Sequence, residues 1–271
     1  MDPALFAGGE ALKEAGYFSI VQGDCNSMAV KWVGIDFGQC LMEPTGLRSY
    51  LLLGDVLKAH GKPEIIRETQ KKFRVLVEAC GGHSPMKESH RDKIHAYVFD
   101  GDDEAMELFN SLERDYLNVG EGAEEVLQYM NDKGLSVNVV AELKKTLGAV
   151  GKDAVSRFLT GKKLTHYFEC MYTPQGKIDL KSGVIDESYK DKTKQSGQLY
   201  ERLLEELKPR GIRPEEMLMV GDKIETDINP ARRLGIKTVQ YIGYSDHGPS
   251  ESDYRVSSFY ELKTLLEGMK A

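Results

Sequence analysis

"MLMVGDKIETDINPARRLGIKTV" (residues 217–239) is the stretch on which the fold turns. Its apolar start, within "EMLMVGD" (216–222), reads as a buried strand that delivers an acid, Asp222, at its carboxyl end. Gly221 lets the chain turn sharply there, and Asp227 follows five residues later, near the start of the next helix. Pro230 is compatible with that helix only in its opening turn, where the missing N–H has no partner to lose. A second apolar run, "IKTVQYIG" (236–243), then reads as another strand. Strand, helix and strand with short connections imply a right-handed crossover in a parallel sheet. In such sheets the working residues gather outside the carboxyl ends of the strands. Two aspartates there can also be ordinary helix caps, so this stretch needs support from elsewhere.

The support lies near the other end of the chain. "AVKWVGIDF" (29–37), within which "VGIDFGQCLMEPTG" (33–46) begins, is an apolar run that also ends in an acid, Asp36. A carboxylate at the mouth of a buried strand is costly unless something pairs with it or uses it. "GLSVNVVA" (134–141) reads as a fourth strand. Between the strands, "GAEEVLQYMNDKG" sets Ala123, Val126, Leu127 and Met130 on one helical face with Gly134 at its end, and "GQLYERLLEELKPRG" repeats the pattern with Leu199, Leu203, Leu204 and Leu207. Asp36, Asp222 and Asp227 would then converge at strand ends and repel one another unless a hard cation sat between them. Mg²⁺, held by a few carboxylates and completed by water or substrate oxygens, suits such a site. Lys194, at the opening of "KQSGQLYERLLEEL", supplies a charge that neutralises the cluster and keeps Asp36 ionised.

The fold class expected is α/β: a Rossmann-like parallel sheet core flanked by helices, with a helical cap inserted after the first strand. Residues 45–117 carry helical patterns and no buried-strand pattern, and an insert at that point would sit above the carboxyl ends. The organisation read from the chain is an N-terminal extension (1–28), a core (29–44 and 118–271) and the cap (45–117). One cap turn, "EACGGHSPMKESHR" (78–91), offers His83, Lys87 and His90 to a substrate if it faces the cleft; otherwise it is a solvated interhelical loop.

Bulk properties exclude other classes. The chain has 271 residues, 29% of them charged, and a net charge of −7, which disfavours a broad nucleic-acid or anionic-membrane surface. No apolar stretch approaches the ~20 residues of a membrane span. The start, "MDPALFAGGEALKEAG", lacks the basic-then-apolar order of a secretory signal. Cys25, Cys40, Cys80 and Cys170 form no CxxC pair, which speaks against zinc and for reduced thiols in the cytoplasm. The histidines show no HxxxH or HExxH spacing.

From Ala29 to Leu266 the sequence resembles the haloacid dehalogenase (HAD) superfamily of hydrolases. "VGIDFGQCLMEP" is similar to its first motif, hhhDxDGT, with Asp36 at the nucleophile position. "GEGAEEVLQYMNDKGLSVNVVAE" resembles the helix and strand leading to the second motif, and the "KDKTKQ" region resembles that around the third-motif lysine, where Lys190, Lys192 and Lys194 compete and spacing favours Lys194. "MLMVGDKIETDINPARRLGIKTVQYIG" matches the fourth motif, and "SDYRVSSFYELKTLL" is similar to the last strand and helix. The resemblance implies Asp36 and Lys194 as catalytic residues, Asp36, Gly38, Asp222 and Asp227 as metal ligands for Mg²⁺, and Gly38, Ala141, Glu142 and Lys194 around the substrate.

The departures from the pattern inform the chemistry. The family's phosphatases carry a second aspartate two residues after the nucleophile, as general acid and base; here that residue is Gly38. Cys40 replaces the motif's threonine, and Ala141 and Glu142 stand where the second motif has Ser or Thr. A carboxylate nucleophile needs no acid if the leaving group is already stable, as a halide, a phosphonate-derived carbanion or the carboxylate of an acyl phosphate is. The expectation is therefore a Mg²⁺-dependent phosphohydrolase acting on a small phosphorylated substrate and favouring such leaving groups. The alternatives are a dehalogenase-like hydrolase attacking carbon, and a non-catalytic ligand- or partner-binding protein that keeps the fold.

Overall fold

The structure is a computed structural model that describes residues 29–43, 46–82, 86, 90–143 and 148–269. The expected N-terminal extension (1–28), together with His83 and Lys87, lies outside the described residues. Among the described residues ten strands run in chain order as β1 (Trp32–Ile35), β2 (Met42–Glu43), β3 (Asn118–Val119), β4 (Ser136–Val140), β5 (Cys170–Thr173), β6 (Gly176–Asp179), β7 (Ile185–Asp186), β8 (Met217–Gly221), β9 (Lys237–Tyr241) and β10 (Tyr254–Val256). Eight of them form one sheet in the order β10-β9-β8-β1-β4-β5-β6-β7. It is parallel from β10 through β5 and antiparallel at β6 and β7.

β1 is central, with Ile35 in register with Val139 on one side and Val220 on the other. All four of its residues are buried, as a strand covered by helices on both faces requires. Alternation along the strand sends neighbours to opposite faces. Val33 and Ile35 join a cluster with Val126, Leu127, Val220 and Phe259, while Trp32 joins one with Leu199, Leu203 and Met219. The helices that cover these faces are the amphipathic ones expected: Ala123–Asp132 buries Ala123, Val126, Leu127 and Met130, and Gln198–Leu207 buries Leu199, Leu203 and Leu207 with Leu204 partly covered.

Among the described residues of 46–116 the elements are helical: Gly46–Ala59, Ile66–Ala79, Arg91–Lys93 continuing through a wider turn at Ile94–Val98, and Asp103–Tyr116. These helices enclose a core of their own, including Leu53, Val56, Phe73, Ile94 and Phe109. Inside it Arg91 donates to Glu113 (2.5 Å) and Asn110 and lies over the Phe109 ring. The antiparallel pair β2–β3 ties the outgoing chain to the returning one, just beyond the carboxyl end of β1. Strands β5–β7 were not anticipated. They are two to four residues long in mixed polar and apolar sequence, and β5 is a strand through its pairing with β4 and β6. No helix among the described residues is long and apolar enough to cross a membrane.

Candidate active site

Three strand ends meet where topology places them. Asp36 leaves β1, its N–H donating to Val220 O (2.8 Å) as the ladder to β8 runs out. Asp222 follows Gly221 at the end of β8, and Asp227 sits in the wide turn Ile224–Ile228 ahead of the short helix Asn229–Arg233, which holds Pro230 in its first turn as expected. The three side chains are buried, and one ligand atom from each lies within 4.8 Å of the others. Gly221 is fixed by this geometry: a Cβ there would lie 2.5 Å from the Asp227 carboxyl carbon.

Lys194 is the cation of the cluster. Of the three candidate lysines, Lys190 is exposed, Lys192 is half-buried, and only Lys194 is buried against the acids. Its Nζ donates to Asp36 Oδ1 (2.5 Å), to Asp227 Oδ1 and to Val140 O (3.2 Å). It does not open a helix, as the sequence reading had it. It lies in a tight turn before Gln198–Leu207, where Gly197 N–H donates to Lys194 O (3.0 Å). The serine, threonine and glycine of "TKQSG" favour that turn over an earlier helix start. Burial pulls the Lys194 ammonium down, but Asp227 and then Asp36 more than offset it, and its pKa stands well above the ordinary value.

The acids divide their oxygens. Asp227 gives Oδ1 to Lys194 and Oδ2 to Lys223 N–H (3.0 Å), so it is anchored on both sides. Tyr200 fixes the same turn by donating to Thr226 O (2.9 Å). Asp36 gives Oδ1 to Lys194 and keeps Oδ2. Among the described residues Asp222 makes one hydrogen bond, between Oδ2 and His247 Nε2 (3.2 Å), which the Nε2–H tautomer donates to the ionised acid, and its buried Oδ1 has no partner. Burial pushes the Asp222 carboxyl up to about 8, reinforced by Asp36 and Asp227. Burial likewise pushes Asp36 up to about 6, against the pull of Lys194 and with a further push from Asp227. A buried carboxylate oxygen without a donor is costly as an anion. An all-oxygen cluster of this kind fits a hard divalent cation, which would satisfy Asp222 Oδ1 and reverse the upward shifts.

The flank toward β4 is built differently. Ala141 is buried and donates its N–H to Tyr172 O (3.0 Å). Glu142 Oε2 accepts the N–H of Lys194 (2.9 Å), so this carboxylate clamps the lysine turn. Gly38 pairs in an isolated bridge with Met42 and has no atom within 4 Å of where a Cβ would stand. Cys40 is buried with Sγ toward Val220 O (3.9 Å); burial and the neighbouring acids push its thiol well above the usual value, which rules out a thiolate nucleophile. His90 is half-buried in the cap, where its N–H donates to Met86 O (3.0 Å). Sequence reasoning missed His247 and Tyr200. His247 was findable, because the loop after β9 opens at a carboxyl end adjacent to Asp222.

Residues 193–246, from just before Lys194 to just before His247, match a family model described as HAD-hydrolase-like. A glyceraldehyde 3-phosphate phosphatase from Methanocaldococcus jannaschii is 39% identical over 67 residues, which cover 24% of this chain and 29% of that protein. The chain thus matches less than a third of this curated relative's length. A HAD phosphatase from Thermococcus onnurineus superposes with a TM-score of 0.56 at 20% identity, covering 89% of this chain and all of that one. A HAD hydrolase from Bacillus subtilis, bound to magnesium, superposes with a TM-score of 0.57 at 13% identity, covering 89% and 100%. At these identities the superpositions establish the fold.

Proposed function

From a chain with the HAD-type hydrolase fold and the segment carrying that family's lysine and acidic motif, we propose a Mg²⁺-dependent phosphohydrolase with Asp36 as nucleophile. The observation that carries this reading is the buried, unpartnered Oδ1 of Asp222 in a cluster where one ligand atom from each of Asp36, Asp222 and Asp227 lies within 4.8 Å of the others. A buried carboxylate oxygen without a donor is costly unless a cation satisfies it, so the orphan supports a metal site. Asp36, Asp222 and Asp227 would hold Mg²⁺, with position 38 alongside. When bound, the ion neutralises the acids and screens the charge of a phosphoryl group.

Lys194 keeps Asp36 ionised and aimed by holding Oδ1, which leaves Oδ2 to attack phosphorus. The new Oδ2–P bond forms as the bond to the leaving group breaks, and the leaving group departs with the electron pair. Water then attacks the phosphorus of the aspartyl phosphate, the Oδ2–P bond breaks with its electron pair returning to the Asp36 carboxylate, and inorganic phosphate leaves with the water's protons and sheds the excess one to solvent. With Gly38 in place of an acid, the first step suits a leaving group that needs no proton, such as the carboxylate of an acyl phosphate or an aryl oxide. A missing general acid costs ~10²–10⁴-fold on an alkoxide. The phosphatase similarity favours a small phosphorylated molecule as substrate. We assign the core to 29–44 and 118–271 and the cap to 45–117, and the free Cys40, Cys80 and Cys170 fit a reducing cytoplasm.

The test is turnover of acetyl phosphate, 4-nitrophenyl phosphate and a sugar phosphate with and without Mg²⁺. The first two should be hydrolysed at least ~10²-fold faster than the third, and both activities should vanish with chelator and in Asp36→Asn, whose amide is not a nucleophile. Asp36-independent rates on all three would mark a contaminating phosphatase. No turnover with Mg²⁺ still bound would move the protein to the binding class.

A further inference from the structure

The loop that follows β9 brings a histidine to the cluster, and nothing in the Asp36–Lys194 chemistry uses it. His247 Nε2 lies 3.2 Å from Asp222 Oδ2, and among the described residues this is the one hydrogen bond the Asp222 carboxylate receives. The ring is 39% exposed while Asp222 is fully buried, so His247 closes the solvent side of the acid. The loop is held in place by residues on either side of it. Gln240 of β9, itself fully buried, donates from Nε2 to Gly248 O (3.0 Å) and accepts Ser250 Oγ–H at Oε1 (2.8 Å). Asp246 accepts Gly248 N–H (2.9 Å) and pairs with Arg255 of β10. His247 therefore sits between two anchored neighbours, and its ring position follows from the sheet rather than from a free loop.

We propose that His247 is a positioning residue that holds Asp222 Oδ2 and thereby turns the unpartnered Oδ1 into the space shared with Asp36 and Asp227. The inference rests on the metal-site reading above. A carboxylate on a short side chain rotates about its last bond, and a rotation that carried Oδ1 away would take a ligand out of the site. With Oδ2 held by a donor from outside, the carboxylate is set for one-oxygen binding before any ion arrives. Partners of this kind, bonded to a ligand and not to the ion, typically contribute 10–100-fold to metal affinity. The 3.2 Å separation is at the long end for a hydrogen bond, so the lower figure applies here.

Calorimetric titration of Mg²⁺ into the full chain tests this without any turnover. His247→Phe, which keeps a ring and removes the donor, should bind Mg²⁺ about tenfold more weakly than wild type. Its metal-free melting temperature should fall by roughly 2–8 °C, since the buried Asp222 Oδ2 loses its one donor. His247→Gln, whose amide can donate to Oδ2, should recover part of the loss, a rescue that a space-filling role would not give. Equal affinity in wild type and His247→Phe overturns the positioning role and leaves the metal site standing. Absence of Mg²⁺ binding in wild type overturns both.

Discussion

The two flanks of the cleft are unequally furnished. On the β8 flank, Asp227 is pinned by Lys194 and by a backbone amide, Gly221 is required by its packing, and Tyr200 and His247 hold the turn and the remaining acid. On the β1–β4 flank, where the family pattern has a second aspartate, a threonine and a hydroxyl residue, stand Gly38, Cys40 and Glu142. Gly38 faces open space and Cys40 is a neutral buried thiol, while Glu142 braces the lysine turn of the opposite flank. Charge handling is present, whereas among the described residues position 38 offers no proton donor. On the proposed function, such a site keeps the apparatus for a nucleophile and a cation and leaves the choice of leaving group to do the rest.

The β8 flank breaks most severely at Lys194. Lys194→Met leaves Asp36 and Asp227 buried without their cation, and removing one partner of a buried pair typically costs 3–5 kcal/mol. For a chain of 271 residues that corresponds to a fall in metal-free melting temperature on the order of 10 °C. Saturating Mg²⁺ should narrow the gap, because a bound cation replaces part of the missing charge. An unchanged melting temperature would mean that the acids are compensated elsewhere.

The other flank can be sharpened instead of broken. At Gly38 a new side chain meets no atom within 4 Å, and the backbone lies outside the left-handed region, so an aspartate fits without strain. Gly38→Asp should raise turnover of alkyl phosphates by up to ~10²-fold while changing acetyl phosphate little. A uniform change across both substrates would place the effect in binding and deny an acid's role at position 38.

The difference between the flanks also explains what could be read in advance. The parallel core was legible because buried strands and amphipathic helices impose periods, and Val33, Ile35, Leu203 and Met219 obey them. The acids were legible because a charged residue at the end of an apolar run is an anomaly in itself. Lys194 was favoured among three lysines by spacing alone, since which lysine turns inward depends on a tight turn with no period. The Glu142 contact joins residues 52 positions apart through one backbone N–H, and the His247 contact reaches Asp222 across a loop. Single long-range polar contacts leave no repeating trace in sequence.

A moderate effect separates the flanks by pH. Without metal, Asp36 is pushed up to about 6 and Asp222 to about 8, chiefly by burial. Both exceed the unfolded carboxylate value of 3.8, so between these limits the folded chain holds protons that the unfolded chain has lost. Their contribution to stability is complete below the unfolded value and is lost as pH rises through about 6 and then about 8. The metal-free protein should accordingly melt lower at pH 9 than at pH 5. Asp222→Asn cannot ionise and removes the upper step, so at pH 9 it should melt roughly 2–8 °C above wild type, taking ~1–2 kcal/mol for the relieved repulsion. The same variant should lose the Mg²⁺-induced stabilisation that wild type gains by mass action. A variant that melts like wild type at pH 9 and still responds to Mg²⁺ would remove Asp222 from the cluster's electrostatics.

The smallest effect belongs to Glu142, which touches both flanks at once. Its Oε2 accepts the Lys194 N–H at 2.9 Å, and its charge lies beside the lysine that would meet a phosphoryl group. Glu142→Gln keeps an acceptor oxygen and discards the charge, which separates the two roles. The retained hydrogen bond should hold the stability loss below ~1 kcal/mol, whereas Glu142→Ala, which abandons the amide, should lose about that amount. Removing a half-buried like charge lowers the cost of bringing in an anion before and during reaction alike. That is uniform binding, so KM for acetyl phosphate should fall about threefold in Glu142→Gln while kcat holds. The preference should weaken in high salt, which screens a partly exposed charge in wild type and has none to screen in the variant. If kcat falls instead and KM stays, the charge of Glu142 assists the reacting groups, and the β4 flank contributes more to the chemistry than a brace for Lys194.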